Sequence, residues 1–417
     1  MEIKPRHGME IKPRHVAFLV AAAAGLVFAG FSTFDFALRL DRQVHDIHCS
    51  FVPGLLSADH SGSSGCHSTM MSPYSSWFRT QLWGGIPIAL PAMSVFSFLV
   101  FRGVELLSTR GRERHQAAQI LFATSFIPVV ASVAMGLISW LELQAACKVC
   151  IGIYVSSFVA MISAAAIVHD SRNAALSEDA ADLAGPLGRA ITVWGAQIGV
   201  FVAVPALVYA TNVPDYTPHM GDCGDLLSTE DPNSIMVDLE AGPSAAVEAI
   251  EVFDPLCPAC RAFEHRFAAS GFADHIRRRA VLFPLDDACN WMVSAALHPG
   301  ACTISEAILC ADTRSQVSAQ AVIQWAFTHQ AEILTATRND PALAKPMVEQ
   351  AFPALKGCIG SDKARAKLNR SLRWTVKNKL SVLTPQLYVD GRKLCDEDTD
   401  LGMEYALTQM LASHRSR

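Results

Sequence analysis

Residues 146–168 read ACKVCIGIYVSSFVAMISAAAIV: a Cys-x-x-Cys at the mouth of an apolar run with no charge after Lys148. The run has about the ~20 residues that a helix needs to cross the hydrocarbon core of a bilayer. Cys147 and Cys150 are spaced i, i+3, so on a helix they share one face. Three residues of rise carry Cys150 about 4.5 Å deeper than Cys147. Such a pair can act as a relay, its outer sulfur exchanging with a water-side partner and its inner sulfur facing a lipid-soluble redox partner. A structural disulfide or two buried thiols is the plain alternative.

Working outward, four more uncharged apolar runs occupy 16–34, 82–101, 117–141 and 190–211, and none follows 211. The chain therefore reads as five spans and a soluble C-terminal domain. Composition agrees: of 417 residues 51% are hydrophobic and only 18% charged, against about a quarter charged in soluble chains. With a mean hydropathy of +0.26, this excludes an ordinary soluble enzyme and a disordered chain. A net charge of −5 leaves no basic footprint for nucleic acid.

Basic residues in the flanks set an orientation. Lys4, Arg6, Lys12 and Arg14 precede the first run, Arg102, Arg110, Arg112 and Arg114 follow the second, and Arg172 and Arg189 follow the fourth. The alternate segments hold only Arg39, Arg42 and Arg79. The N-terminus is expected inside, and five crossings put the C-terminal domain outside, where disulfides persist. A cleaved signal peptide is the alternative for the first run and leaves the rest unchanged. The repeat MEIKPRHG/MEIKPRHV over 1–16 is assigned no function. Residues 74–83, YSSWFRTQLW, place Trp77, Phe78 and Trp83 as an interfacial segment or a simple aromatic belt.

Cysteine placement carries the chemistry. Cys49 and Cys66 lie in the first outer loop, within HDIHCSFVPGLLSADHSGSSGCHS (45–68). In that topology all four membrane-part cysteines fall at the outer face. A second Cys-x-x-Cys follows a β-rich stretch, AVEAIEVF (246–253), as DPLCPAC (254–260), with a helical pattern after it. Strand, dithiol and helix in that order put Cys257 at a helix N-terminus, where free amides and the dipole favour a thiolate. Cys257 is then the nucleophile and Cys260 the resolving thiol. A zinc site wants a second pair at metal spacing, and none follows. Downstream, VLTPQLYVD (382–390) is a strand with a proline inside it, which a cis Thr384–Pro385 bond beside the dithiol explains. Between these features the pattern over 291–380 is mostly helical. Cys223, Cys289, Cys302, Cys310, Cys358 and Cys395 remain. Cys289 with Cys302 and Cys310 with Cys358 are the expected bridges; Cys223 bonds elsewhere or stays free.

These residues together resemble bacterial homologues of vitamin K epoxide reductase fused to a thioredoxin-like domain. The resemblance covers nearly all of the chain after the N-terminal tail. In the membrane part it rests on the two outer-loop cysteines, Ser72 six residues after Cys66, Gly85-Ile86-Pro87 before the second span, and Cys147-Lys148-Val149-Cys150 with Tyr154 four residues on. In the C-terminal part, Cys257-Pro258-Ala259-Cys260 and Thr384-Pro385 look like a DsbA-type thioredoxin fold with its helical insertion. Two features depart from the family pattern: Cys49 and Cys66 are seventeen residues apart, and Ile88 stands where some members have an asparagine.

The resemblance implies a polytopic α-helical membrane protein. A four-helix bundle surrounds a quinone, a fifth span tethers the outer domain, and the C-terminal domain is α/β. The expected layout is a cytoplasmic tail over 1–15, the transmembrane domain over 16–212 with its outer loop at 39–81, a linker over 213–245, and the thioredoxin-like domain over 246–417. It further implies a disulfide-forming thiol:quinone oxidoreductase of a bacterial inner membrane, with exported thiol proteins and the membrane quinone pool (ubiquinone or menaquinone) as partners. Electrons then run from substrate to Cys257/Cys260, to Cys49/Cys66, to Cys147/Cys150 and to the quinone. Cys147 accepts from Cys66, Cys150 faces the quinone, and Ser72 and Tyr154 line its pocket.

Two other readings are open. Electrons can run outward to reduce or isomerise disulfides, although the inner face offers no thiols for such a supply. A non-enzymatic metal-binding membrane protein can use His45, His48, Cys49, His60, Cys66, His67, Met70 and Met71 of the outer loop as soft ligands. A solvated polar loop is the plainer account of that set, and no metal site is assigned.

Overall fold

The computed structural model describes residues 12–43, 46–52, 65–109, 111–143, 145–177, 187–239, 242–243, 245–311 and 317–415. The N-terminal repeat before Lys12, Arg110 between the second and third apolar runs, and His45 and His60 between the first and second lie outside these residues. The chain forms two compact units, Met1–Pro214 and Asp215–Arg417.

The first unit contains α1 (Pro13–Leu38), α2 (Gly65–Met70), β1 (Ser76–Trp77), β2 (Ile86–Pro87), α3 (Ala89–Leu106), α4 (Gly111–Leu141), α5 (Lys148–Ser177) and α6 (Leu187–Asn212). Five of these helices are long and apolar enough to cross a membrane. α1 starts at Pro13, directly after Lys12 in extended conformation; proline needs no amide partner at that position and brings its own helical φ. α1 packs on α3 and α5, α4 packs on α3 and α5, and α6 lies against α3. That is a four-helix bundle with a fifth helix beside it. Small residues let α1 approach closely: Ala21, Ala22, Gly25 and Ala29 are buried, and a methyl group on Gly25 would run into the Phe96 ring. Phe18, Phe96, Phe98, Leu99, Leu121 and Ala164 fill the bundle interior. Val130, Leu137, Trp140, Ile162 and Leu207 point outward and are exposed. On a water-soluble protein that surface would be anomalous; on a membrane protein lipid covers it.

The second span is shorter than its apolar run. The run opens at residue 82, but the helix opens at Ala89. Gly84 and Gly85 both adopt positive φ, and β1 pairs with β2 in a small hairpin. Its residues separate by exposure: Trp77 and Phe78 are exposed, whereas Trp83 is buried and donates Nε1–H to the Leu40 carbonyl.

The second unit holds β3 (Val237–Asp238), β4 (Val247–Phe253), α7 (Pro258–Ser270), β5 (Ile276–Leu282), α8 (Ala301–Ala311), α9 (Ala319–Thr328), α10 (Gln330–Thr337), α11 (Ala344–Ala351), α12 (Asp362–Lys377), β6 (Gln386–Val389), β7 (Arg392–Lys393) and α13 (Met403–Arg415). Its five-stranded sheet runs β3-β5-β4-β6-β7. β4 pairs in parallel with β5, Val247 opposite Ile276 through Phe253 opposite Leu282. On its other edge β4 runs antiparallel to β6, with Val252 opposite Gln386. A βαβ unit, a helical insertion (α8 to α12), a β-hairpin and a closing helix around a mixed sheet make a thioredoxin-like domain.

Part of 213–245, expected as a linker, is built into this unit. Val237 and Asp238 pair with β5, and Cys223 is bonded to Cys395 beside β7. Composition hid this, because prolines scattered among polar residues look alike in a linker and in an edge segment. The bridges Cys289–Cys302 and Cys310–Cys358 are as expected. The latter joins α8 to the turn before α12.

Candidate active site

In the first unit four cysteines meet. Cys49 is bonded to Cys66 and Cys147 to Cys150. Cys49, Cys66 and Cys147 belong to one buried cluster with Ile47 and Val149, and Cys150 packs against it. α2 brings Cys66 to this place and packs on α5. The approach is close: a methyl group on Gly65 would overlap the backbone carbonyl of Ala146. Cys66 and Cys147 are the next residues along each strand of that contact.

The helix begins one residue later than the sequence spacing suggested. α5 opens at Lys148, so Cys147 sits just outside it, and the Cys150 amide donates to the Cys147 sulfur at 3.2 Å. The first cysteine thus caps the helix instead of sharing a face with the second.

Beside the cluster lies a largely apolar cavity of about 520 Å³, within the size range of small-molecule sites. Cys66, Cys147, Cys150 and Tyr154 line it, together with Val95, Phe96, Pro128, Ala131, Met135 and Ile153. Cys49 and Ser72, two expected site residues, do not line it. Ser72 is buried and its hydroxyl donates to the Thr69 carbonyl at 2.8 Å. Its own carbonyl accepts from the Ser75 hydroxyl and from Arg79. Ser72 therefore holds the turn after α2, which corrects its expected place in the pocket wall: its side chain is spent on a local backbone bond.

The sequence reading passed over one wall residue, Asp35, and named another, His48, only as a soft metal ligand. Asp35, near the end of α1, is buried and accepts from the His48 amide at 2.7 Å, while its other oxygen lies 2.6 Å from His48 Nδ1. Both residues line the cavity. An acid inside a membrane helix is costly unless paired, and that cost was the available signal; the apolar run had been closed at Phe34, one residue short. Of the soft-ligand set in the outer loop, Cys49 and Cys66 are thus committed to a disulfide and His48 to Asp35.

The second unit holds the other dithiol. Cys257 is the N-cap of α7, Pro258 its first residue, and Gly271 in the left-handed region ends it. Cys257 and Cys260 are free thiols, both buried. The Thr384–Pro385 bond is cis, and the Thr384 carbonyl lies 3.7 Å from the Cys257 sulfur. The antiparallel register of β4 and β6 produces this meeting, because Thr384 and Pro385 directly precede Gln386, opposite Val252. The Thr384 hydroxyl is buried without a partner. A hydrogen bond from the Cys260 thiol pulls the Cys257 pKa down to about 6 against burial, helped by Thr384 and the Cys260 amide. Burial, together with its neighbour's charge, drives Cys260 the other way. One sulfur is thereby inclined to the thiolate form at neutral pH and the other a protonated reserve.

Under this dithiol runs a buried ion network. Arg278 of β5 bonds Glu251 of β4 and Glu264 of α7, each at 2.6 Å, and its guanidinium lies over the Phe267 ring. Glu251 and Arg278 are nearly inaccessible. Burial pushes the Glu251 carboxyl up, while Arg278 pulls it down.

Residues 16–165 match the model of the vitamin K epoxide reductase family. Solved structures similar to part of the chain include the oxidoreductase NmDsbA1 from N. meningitidis, with 15% identity, 44% of this chain and 93% of that chain covered, and a TM-score of 0.29. A thioredoxin-like oxidoreductase from Silicibacter pomeroyi DSS-3 has 17% identity, coverage of 45% and 94%, and a TM-score of 0.29. Reduced DsbA1 from Neisseria meningitidis has 19% identity, coverage of 45% and 97%, and a TM-score of 0.30. No curated protein matches the chain.

Proposed function

We propose that this membrane protein is a thiol:quinone oxidoreductase that introduces disulfides into exported proteins and passes the electrons to a quinone of a bacterial cytoplasmic membrane. The reading rests above all on one observation: two cysteine pairs are buried together against an apolar cavity of about 520 Å³ among the spanning helices. A disulfide pair serving only as a staple needs no such cavity.

The steps balance as follows. A substrate thiolate attacks the Cys257–Cys260 disulfide, a mixed disulfide forms, and the second substrate thiol displaces Cys257. The substrate is oxidised by two electrons and the pair becomes a dithiol. Cys257, with a pKa near 6, is the better leaving group of the two. The dithiol then reduces Cys49–Cys66 by the same exchange; Cys66 of the resulting dithiol attacks Cys147, releasing the Cys150 thiol, and Cys49 displaces Cys147 from the mixed disulfide, so that Cys49–Cys66 re-forms and Cys147/Cys150 is reduced by two electrons. A bound quinone supplies the terminal acceptor of two electrons and two protons. Cys150 and Tyr154 on the cavity wall would face it, and the apolar wall would hold its ring. Asp35 and His48 are a hydrogen-bonded pair on the same wall and would carry protons between cavity and surface. This mechanism puts all three pairs on the outer side of the membrane, as the basic flanks suggest.

The test is quinone reduction by the full chain in detergent with a reduced protein dithiol as donor and a short-chain ubiquinone as acceptor. Cys150→Ala should abolish it while leaving exchange between substrate and Cys257 intact. Quinone reduction at the unmodified rate in that variant would overturn the proposal.

A further inference from the structure

Away from the cysteines, three helix ends of the first unit meet around another cavity. The end of α3 supplies Arg102 and Glu105, the start of α4 Glu113 and Gln116, and the start of α6 Arg189 and, further along, Trp194. They enclose about 340 Å³, within the range of small-molecule sites. Arg102 is the unusual member. Its side chain is about nine-tenths buried, and its guanidinium lies 3.6 Å from the centre of the Trp194 ring. Glu105 accepts from one end of the guanidinium, but the Arg102 Nε is buried without a hydrogen-bond partner. A buried cation on a spanning helix is costly unless compensated, and one half-exposed carboxylate compensates it only in part.

Arg189 and Glu113 are exposed on the same wall. Among the described residues neither has an ion-pair or hydrogen-bond partner. Two guanidiniums and two carboxylates thus border one space, and the cavity suits an occupant that carries both signs.

The space continues along the helices. Ile120 and Trp194 also border a largely apolar groove of about 430 Å³ between α4 and α6, walled further by Ala123, Ile127, Ile191 and Ile198. From Ile120 to Ile127 and from Ile191 to Ile198 it follows both helices for about 10 Å. A side chain added at Gly195, on its wall, would meet no protein atom within 4 Å. A charged pocket at the helix ends that opens into an apolar groove along spanning helices has the outline of a phospholipid.

We propose that this is the binding site of one phospholipid with an ethanolamine headgroup. Its phosphate takes the free edge of Arg102 and the guanidinium of Arg189, whose forks match phosphate oxygens. Its ammonium takes Glu105 and Glu113, and an acyl chain fills the groove between α4 and α6. Purely basic pockets between spanning helices suit anionic headgroups; the two carboxylates here select the zwitterion. The lipid completes the packing of the fifth span against the bundle. With the orientation read from the basic flanks it belongs to the inner leaflet. This inference goes beyond the electron path and does not depend on it.

The test is native mass spectrometry of the full chain released from nanodiscs made of equal parts phosphatidylethanolamine, phosphatidylglycerol and phosphatidylcholine with identical acyl chains. One phosphatidylethanolamine should stay bound, enriched several-fold over the other two; choline has no N–H to offer the carboxylates. Arg189→Gln, at an exposed position, should lower that retention about tenfold, as expected for one lost charge-assisted hydrogen bond. Gly195→Leu displaces no protein atom but fills the groove, and should lower retention of the lipid as strongly. Inorganic phosphate, which has no acyl chain, should not displace it. Retention indifferent to the headgroup, preference for phosphatidylglycerol, displacement by inorganic phosphate, or unchanged retention in both folded variants would each overturn the proposal.

Discussion

Gly65 shows how much one hydrogen atom can decide. Its missing side chain lets α2 lie on the Ala146 backbone, and that contact sets Cys66 beside the pair that opens α5. Gly65→Ala forces the two backbones apart. Combined with Cys49→Ala and Cys150→Ala, which leave Cys66 and Cys147 as the free partners, it should lower the yield of the trapped Cys66–Cys147 disulfide at least about tenfold, because exchange needs near-contact alignment. Non-reducing electrophoresis of cleaved peptides reads this directly, and an unchanged yield would show that the backbone contact is not what aligns the sulfurs. Cys66, Cys147 and Cys150 could be named from the sequence because spacing and residue type carry the signal, whereas Tyr154 was named through the family resemblance. Ser72 was misplaced for the opposite reason: a hydroxyl is small enough to satisfy itself on the nearest carbonyl, and nothing in its own chemistry says which way it turns.

At the level of elements, α5 and α7 start alike. Each is preceded by a cysteine in the cap position, and the second cysteine follows three residues on, half-buried at α5 and buried at α7. This was legible for α7, where a strand, a proline and a glycine mark both ends. It was less legible for α5, where continuous apolar sequence hides the first helical residue. β4, α7 and β5 are joined by the Arg278 network, whose parts lie 14 and 27 residues apart and left no spacing signal. Arg278→Met keeps the aliphatic stem over Phe267 but strands Glu251. The expected cost is about 3 kcal/mol, typical of breaking a buried ion pair from one side. Its pH dependence follows from the direction of the Glu251 shift. The folded variant holds a proton on Glu251 that the unfolded chain releases above about 4.5, so its stability falls as pH rises past that value. Chemical unfolding of the full chain at pH 4.5 and pH 7.5 measures this; equal destabilisation at both would mean that Glu251 stays ionised without Arg278.

For the whole molecule, the proposed electron path needs all three pairs on one side of the membrane. In intact cells a membrane-impermeant maleimide should reach Cys257 of the reduced chain. A cysteine introduced by Thr109→Cys, between α3 and α4, should react only after the membrane is opened. The reverse pattern would invert the topology and end the quinone path as drawn. Five apolar helices of spanning length, a thioredoxin-like domain after them and the positions of both Cys-x-x-Cys motifs were determined by the sequence alone. Each depends on a local property: the length of an apolar run, the order of strand, dithiol and helix, the residue types at fixed spacing. Tertiary structure alone decided that Asp35 and His48 share the cavity wall, that Ser72 turns to the Thr69 carbonyl, that Val237 and Asp238 join the sheet, and that His298 comes to Asp254. Those outcomes are contacts between residues far apart in the chain, and such contacts are chosen by packing and by pairing of buried charge, which no local pattern records.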